Sequence, residues 1–245
     1  MQRYFVEDNN IKDGLVKISN SDFHHIKNVM RLKIDDKIIV TNFSGKVFLT
    51  RISEYNKNVV VLEIIKEENP VPNTFNLSIA QTLIKRDNFE LVLQKVTELG
   101  ISDIYPIKTS RSIIKIDNFE KKLIRYNTIV KEASEQSERT ILPIIHDLCP
   151  IKDLPYKKYD LVLVAHARET DNNSLSSVIN GIDKTKKVLV LVGPEGGFTK
   201  EELAYLADKA IFVSLGKTIL RSETAAIYIA SSFRYAWENW DESSF

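Results

Sequence analysis

The feature that most constrains this chain is the apolar stretch at residues 189–192, which stops at a glycine-rich turn. An apolar run of this length is typical of a β-strand buried on both faces, as in a parallel sheet. The turn, G-P-E-G-G at 193–197, leads into T-K-E-E at 199–202, which predicts a capping box at the start of a helix. Only eight glycines occur, and four of them lie between 193 and 216. This concentration indicates either ordinary tight turns or close approach of the backbone to a ligand.

A second glycine loop follows a predicted short strand at 211–213. Its G-K-T triplet at 216–218 resembles the end of a phosphate-binding loop, but Ile211 stands where the first glycine of such a loop is required. The turn at 193–197 also lacks the G-x-G-x-x-G spacing of dinucleotide sites. Because neither loop can wrap phosphates, the pair favours a nucleoside-like ligand without phosphates. S-adenosylmethionine fits that description.

From residue 76 onward, predicted strands alternate with predicted helices. The strands are expected at 76–81, 103–107, 161–165, 187–192 and 211–213, and the helices at 87–99, 119–138 and 222–237. This alternation predicts an α/β fold with a mostly parallel sheet, in which ligands bind beyond the carboxyl ends of the strands. Both glycine loops lie at such ends, and so does His166.

The first 66 residues are instead rich in strands around one helix. Strands are predicted at 14–18, 37–41, 46–52 and 58–65. Between the first two, residues 21–31 carry apolar side chains at helical spacing: Phe23, Ile26, Val29 and Met30. A module of this kind suits a small closed barrel. The charged and proline-punctuated stretch at 67–73 marks the boundary, which gives domains at 1–70 and 73–245.

Charge and cysteine content exclude several classes of protein. The net charge is +1, so any RNA contact must come from a folded patch rather than from a basic chain. The single cysteine, Cys149, excludes an internal disulfide and has no neighbouring base, which predicts an inert thiol. With four scattered histidines, we expect no metal site. The absence of a signal core or membrane-length apolar run predicts a cytoplasmic protein with no membrane partner.

The two glycine motifs, LVGPEGGFTKEEL at 191–203 and SLGKTILRSETAA at 214–226, resemble the signature of the SPOUT methyltransferases. More narrowly, they resemble the branch that methylates N3 of a uridine in small-subunit (16S) ribosomal RNA. The likeness continues in QTLIKRDNFELVLQKVTELG at 81–100, in EASEQSERT at 132–140, and in the pair H-H at 24–25 with M-R-L-K at 30–33. It therefore covers nearly the whole chain.

This resemblance implies S-adenosylmethionine as the cofactor and a deep trefoil knot in the second domain, where three loops together hold that cofactor. It also implies a PUA-like RNA-binding module in the first domain. A homodimer is expected, in which each catalytic site is completed by the partner chain.

The cofactor is expected among backbone groups and apolar side chains of the three loops, because such pockets are mostly apolar with a few placed polar groups. Backbone groups of 192, 193, 197, 215 and 220 are positioned to bond the adenine and ribose edges, and the side chains of Leu215, Ile219 and Leu220 to flank the ring. The predicted cofactor-binding set is Ala165, His166, Val192, Gly193, Pro194, Gly197, Leu215, Gly216, Ile219, Leu220 and Thr224. A lone histidine such as His166 is more often structural than catalytic.

Arg221 is the leading catalytic candidate. It lies between an apolar loop segment and a helix start, and its planar fork can hold a phosphate or the oxyanion that develops on a uracil imide. The alternative is a structural salt bridge with Glu223 or Glu195. Those two carboxylates are the candidate proton acceptors, and the alternative for each is that it orders its own loop.

A basic cluster without intervening acids spans residues 24–33: His24, His25, Lys27, Arg31 and Lys33. Helical spacing places three of them on one face, which predicts an edge that contacts RNA phosphates; a solvated helix face is the alternative. Arg139 is assigned to the same RNA-binding set. Arg139 follows Glu132 and Gln136 at helical spacing, which predicts that the three share one face. The resemblance implies an RNA-facing or site-bordering role for these three residues and for Glu98. The alternative is a salt-bridged surface.

The function predicted from the sequence is methyl transfer from S-adenosylmethionine to uridine N3 in 16S ribosomal RNA. The target uridine must be unpaired or extruded, because its N3–H lies on the pairing edge. One alternative is a SPOUT enzyme that modifies another RNA atom, such as a ribose 2′-hydroxyl. Another is a non-catalytic RNA-binding factor in ribosome assembly. A nucleotide hydrolase is excluded by the missing first glycine and the lack of an acidic strand end.

Overall fold

A computed structural model describes residues 1–70, 75–112, 119–166 and 173–238. The chain divides into two compact units. The first is Met1–Pro72 with Ser134–Leu142, and the second is Asn73–Ala133 with Pro143–Phe245. Within the described ranges, no helix combines the length and apolar character needed to cross a membrane.

The first unit is built on a six-stranded mixed sheet. Its strands are β1 (Arg3–Val6), β2 (Ile11–Lys12), β3 (Leu15–Ser19), β4 (Lys37–Asn42), β5 (Val47–Asn56) and β6 (Val59–Glu68). They pair in the order β1-β4-β5-β6-β3-β2, with β1 parallel to β4 and all other neighbours antiparallel. The strand-rich module around one helix is therefore confirmed, although the hydrogen-bonded path through residues 1–70 runs from β1 to β2 without closing.

The helix predicted at 21–31 is shorter and changes type. An α-helix, α1 (Asn20–His24), continues as a π-helical turn over His25–Val29, and Arg31 follows with a left-handed φ of 54°. The wider π turn shifts the phase of the side chains, so a spacing of 3.6 residues no longer applies. Val29, predicted to face inward, is 57% exposed. Arg31 therefore does not share a helical face with His24 and Lys27, and that part of the prediction is wrong.

The segment Ser134–Leu142 belongs to the first unit, whereas a single boundary at 67–73 assigns it to the second domain. It is held along β1, where the Phe5 amide donates to Glu135 Oε1 at 2.9 Å. Arg3 Nη2 also lies 3.9 Å from Glu138 Oε2. These pairings join residues 130 and 135 positions apart. The pattern of neighbouring residues therefore could not predict that this segment joins the first unit.

The second unit holds a parallel sheet with helices between its strands. Its elements are β7 (Asn76–Thr82), α2 (Arg86–Glu98), β8 (Asp103–Lys108), α3 (Phe119–Gln136, whose last turn belongs to the first unit), β9 (Ile144–Ile145), β10 (Cys149–Pro150), β11 (Leu161–Ala165), α4 (Leu175–Gly181), β12 (Lys187–Val192), α5 (Lys200–Leu206), β13 (Ile211–Val213) and α6 (Ser222–Trp237). The strand order is β10-β8-β7-β12-β11-β13, with β9 also on β8, and every pairing is parallel. The predicted α/β class is confirmed.

Apolar side chains cover both faces of this sheet, which explains why β11, and β12 after Lys187, are uninterrupted apolar runs. Leu77 and Ile79 of β7 pack on the face that also buries the apolar sides of α2 and α6. Leu189 and Leu191 of β12 face the opposite side, where they pack with Leu206 of α5. The sheet is therefore buried between two apolar layers.

The long helix α3 ends at Gln136, two residues before the predicted end, and Glu138 follows with a φ of 57°. Arg139 lies beyond this left-handed residue. The expectation that Arg139 shares a helical face with Glu132 and Gln136 is therefore wrong.

Three strands of the sheet end at one level. Ala165, the last residue of β11, pairs with both Val192 and Val213, the last residues of β12 and β13. Val192 in turn pairs with Gln81 near the end of β7. The loops that follow these strands therefore leave the same edge of the sheet side by side.

Cys149 lies partly buried in β10, and burial, with a further contribution from the charge of Asp153, raises the pKa of its thiol. Because the thiolate is the nucleophile, a raised pKa keeps the folded chain in its unreactive form over a wider pH range. We predict that iodoacetamide alkylates Cys149 at pH 8 more slowly in the folded chain than in the same chain unfolded in urea. Equal rates in the two states would contradict an unactivated thiol.

Candidate functional site

A cavity of about 450 Å³ lies at the shared carboxyl edge of β11, β12 and β13. Ten of the eleven predicted cofactor-binding residues line it: Ala165, His166, Val192, Gly193, Pro194, Gly197, Leu215, Gly216, Ile219 and Leu220. Thr224 does not, because it lies on the exposed side of α6, and Ala225 faces the cavity in its place. The structure therefore brings nearly the whole predicted set together.

Two glycines explain why the backbone can border this cavity closely. A Cβ added at Gly193 would meet the ring of Phe198 at 3.1 Å, so the ring packs directly on the backbone there. Gly216 has a φ of 128°, a backbone conformation that residues with a side chain rarely adopt. A Cβ added there would meet no atom within 4 Å. The Gly216 backbone is therefore open on that side, at the wall of the cavity.

A buried hydroxyl ties the loops to the sheet. Ser222 Oγ, at the start of α6, donates to the carbonyl of Gly193 at 2.7 Å and accepts from Gln81 Nε2 at 2.9 Å. Gln81 Nε2 also donates to the Thr82 carbonyl at 2.9 Å, which fixes its amide at the end of β7. One side chain thus joins β7, the first glycine loop and the second loop as it enters α6.

The capping box predicted at the start of α5 is confirmed. The Glu202 amide donates to Thr199 Oγ1 at 3.2 Å, and the Thr199 amide donates to Glu202 Oε2 at 2.8 Å. The other carboxylate oxygen of Glu202 accepts the backbone amide of Ser110 at 2.7 Å. The loop after β8 is therefore attached to the helix that follows the first glycine loop.

Arg111, which is absent from the sequence prediction, also lines the cavity. Its Nη1 donates to the carbonyl of Gly196 at 2.7 Å and to that of Phe198 at 3.3 Å. The only signal for it in the sequence is its place directly after a predicted strand, at the edge where ligands are expected.

The three charged candidates have different surroundings. Glu195 is exposed and lines the cavity, whereas Arg221 and Glu223 do not. Glu223 is 9% exposed, and its Oε1 accepts from Asn88 Nδ2 at 3.1 Å, which links the first turns of α2 and α6. Arg221 is exposed at the N-cap of α6, and within the described ranges its guanidinium has no hydrogen-bond or ion-pair partner. The alternative salt bridge with Glu223 or Glu195 is therefore not formed.

His166 combines a fixed backbone with an available ring nitrogen. Its amide donates to the Val213 carbonyl at 3.0 Å, which holds it between β11 and β13. Its Nδ1 is buried and has no hydrogen-bond partner in the part of the chain that the structure describes. Such an atom carries a desolvation cost that a bound polar group would relieve. The neighbouring Ala167 lies outside the described residues.

Glu98 and its neighbours are not brought to the cavity. Lys95 Nζ lies 2.9 Å from Glu98 Oε1, and Arg234 Nη1 donates to the Glu98 carbonyl at 2.7 Å, at the far ends of α2 and α6. Neither Glu132 nor Gln136 lines the cavity. These contacts fit the alternative of a salt-bridged surface for Glu98.

In the first unit, four residues of the predicted RNA-binding set are exposed: His24, Lys27, Arg31 and Lys33. His25 is only partly exposed, and its Nδ1 is 2.8 Å from the hydroxyl of the buried Tyr4. Lys27 Nζ lies 5.3 Å from the centroid of the Phe23 ring, within cation–π range. Arg139 Nε donates to the Ile141 carbonyl at 3.2 Å.

Comparison with known proteins identifies the family. An RNA methyltransferase domain model matches residues 71–234, and an RNA methyltransferase PUA domain model matches residues 18–65. Over 97% of its length, the chain is 33% identical to ribosomal RNA small subunit methyltransferase E of Bacillus subtilis, 98% of which is covered. The chain belongs to the ribosomal RNA small subunit methyltransferase E family.

Further relatives extend this result. The methyltransferase E of Rickettsia conorii is 35% identical, with 91% of each chain covered. A crystal structure of the methyltransferase E of Neisseria gonorrhoeae bound to S-adenosyl methionine matches with a TM-score of 0.84 and 27% identity, covering 97% of this chain and 98% of that one. Together with the sheets described above, these matches confirm the predicted family and the pairing of a PUA-like domain with a mostly parallel α/β domain.

Removing the Ser222 hydroxyl tests its bridging role. In Ser222→Ala, the Gly193 carbonyl and the Gln81 amide each lose a buried partner, which should lower the free energy of unfolding by about 1–3 kcal/mol. Ser232→Ala is the matched control, because the Ser232 hydroxyl bonds only the carbonyl of Tyr228 on an exposed side of the same helix. Urea unfolding would measure both variants. Equal, small losses would contradict the bridge.

Proposed function

We propose that this chain transfers a methyl group from S-adenosylmethionine to N3 of a uridine in 16S ribosomal RNA. The observation that carries the proposal is the convergence of the ends of β11, β12 and β13 on one cavity, which is lined by the two glycine loops and by apolar side chains. The relatives named above are small-subunit ribosomal RNA methyltransferases, one of them with bound S-adenosyl methionine, which supports the same cofactor and the same class of RNA.

The residues around the cavity fit this cofactor. A volume of about 450 Å³ lies in the range of small-ligand pockets. Leu215, Ile219 and Leu220 offer an apolar wall for an adenine ring, and the open Gly216 backbone and the unpartnered His166 Nδ1 offer polar contacts. When bound, S-adenosylmethionine supplies a methyl carbon whose bond to sulfur breaks as its bond to N3 forms.

The chain's own groups then act on the uridine. Of the two candidate carboxylates, that of Glu195 lies at the cavity. We therefore assign Glu195 as the general base that accepts the proton from N3–H. The exposed, unpaired guanidinium of Arg221 is available to hold a phosphate or the oxyanion that develops on the imide. Glu223 is instead a positioning residue, since it holds α2 and α6 together through Asn88.

The remaining assignments belong to the same proposal. Residues 1–70 form the RNA-binding domain, with Ser134–Leu142 in the same compact unit, and the rest of 73–245 forms the methyltransferase domain with a trefoil knot. The enzyme acts in the cytoplasm as a homodimer, with the partner chain completing each site, and its substrate is 16S RNA within the assembled small subunit. No metal is required.

Transfer of labelled methyl from S-adenosylmethionine tests this function. Unmethylated small subunits and naked 16S RNA would be assayed in parallel, and the product analysed as nucleosides. We expect 3-methyluridine at one position in the subunits and little in naked RNA. Label on a ribose 2′-oxygen would contradict the acceptor atom, and cofactor binding without transfer to either substrate would mean that the acceptor is a different molecule. The absence of cofactor binding would favour a non-catalytic factor.

Arg221→Ala should lower kcat/KM for methyl transfer by about 10²–10³-fold, the usual cost of removing one preorganised charge-stabilising donor. The dissociation constant for S-adenosylmethionine should not change, because Arg221 does not line the cavity. Lys217→Ala, which removes an exposed cation from the same loop, is the control. Full turnover in Arg221→Ala would refute the assignment.

Charge reversal in the first domain tests the RNA contact. The double variant Arg31→Glu with Lys33→Glu should bind 16S RNA more weakly, with a shallower salt dependence, because fewer counterions are released. Reversal of the exposed Lys12 and Lys17 serves as the control. Filter binding across a salt series would measure both. Unchanged binding by the folded double variant would overturn the contact.

A further inference from the structure

Arg111 borders the cavity from a loop for which no ligand contact has yet been assigned. Its Nη1 is anchored on the Gly196 and Phe198 carbonyls, at 2.7 and 3.3 Å. Its stem packs against the first glycine loop, since a Cβ added at Gly196 would lie 3.4 Å from Arg111 Cδ. The guanidinium is therefore held at a defined point on this loop.

Apart from an electrostatic interaction with Glu201, the rest of this guanidinium has no partner among the described residues. An arginine offers five N–H donors, and both hydrogen bonds of Arg111 come from Nη1. Within the described ranges, Nε and Nη2 have no partner. These two nitrogens form one edge of the planar group, and such an edge matches the two oxygens of a carboxylate in parallel bonds.

Charge is unevenly distributed among the loops that line the cavity. Arg111 and Lys200 are the arginine and lysine in its described lining, and Glu195 is the acidic residue there. All three lie in or beside the first glycine loop, whereas the lining residues of the second loop, 215–220, are uncharged. This division suits a ligand that has an aromatic nucleoside at one end and an anionic group at the other.

We propose that the Nε–Nη2 edge of Arg111 binds the carboxylate of the cofactor's amino-acid tail. This inference rests on the proposed function, because it takes S-adenosylmethionine as the ligand. The anchoring through Nη1 makes the contact favourable, since little side-chain freedom remains to be lost on binding. Arg111 then has two roles: it braces the glycine loop, and it selects a nucleoside that carries a carboxylate.

Two ligands that differ in this carboxylate separate the roles. S-adenosylhomocysteine carries the amino-acid tail, and 5′-methylthioadenosine lacks it. Arg111→Met keeps the aliphatic stem but removes every donor. Calorimetry should show that this variant binds S-adenosylhomocysteine about tenfold to a hundredfold more weakly than the wild-type chain does, with binding of 5′-methylthioadenosine unchanged. Arg111→Lys, which keeps a charge without the fork, should show a smaller loss.

Lys108→Ala is the control, because Lys108 is an exposed cation three residues away that does not line the cavity. Equal weakening of both ligands in Arg111→Met would overturn the carboxylate contact and leave only the bracing role. Unchanged binding of S-adenosylhomocysteine with weaker binding of RNA would overturn it in favour of a phosphate contact. If the wild-type chain bound neither ligand, the proposed function would fail together with this contact.

Discussion

The hydroxyl of Ser222 is the contact on which the geometry of the site depends. It is the junction of the end of β7, the first glycine loop and the start of α6, through Gln81 and the Gly193 carbonyl. The bond from Gln81 is buried and the bond to Gly193 is partly buried, and a low local dielectric makes such bonds stronger and their loss more costly. The paired ends of β11, β12 and β13 bring the loops that follow them to the same edge of the sheet. The Ser222 hydroxyl then holds the first glycine loop against the start of α6.

The charged groups near the site differ in the freedom that the fold leaves them. Glu223 is buried against Asn88 and serves the packing of two helices, while Glu195 stands at the cavity. Arg221 is unpaired and exposed, and Arg111 is half engaged with the glycine loop. Among the described residues, the fold thus leaves one carboxylate and two guanidinium groups at or beside the cavity available for ligands.

The sequence was enough to predict those parts of the site that depend on residues close together in the chain. The apolar runs of β11 and β12 and the capping box at Thr199 lie where the sequence places them, because strand burial and helix capping act over a few residues. Arg111 could not be predicted, because its partners are 85 and 87 positions away. The spacing of apolar residues also does not determine which side of α6 carries Thr224, because that depends on how the helix packs. Nor does it predict the π turn after His24, which changes the phase of the helix.

Hydrogen–deuterium exchange with and without S-adenosylmethionine is the most direct test of the central claim that these loops form the cofactor pocket. The account predicts slower exchange in the two loops, at 193–198 and 215–222, and no change in the sheet of residues 1–70. Protection of some other segment, with exchange in both loops unaltered, would contradict it.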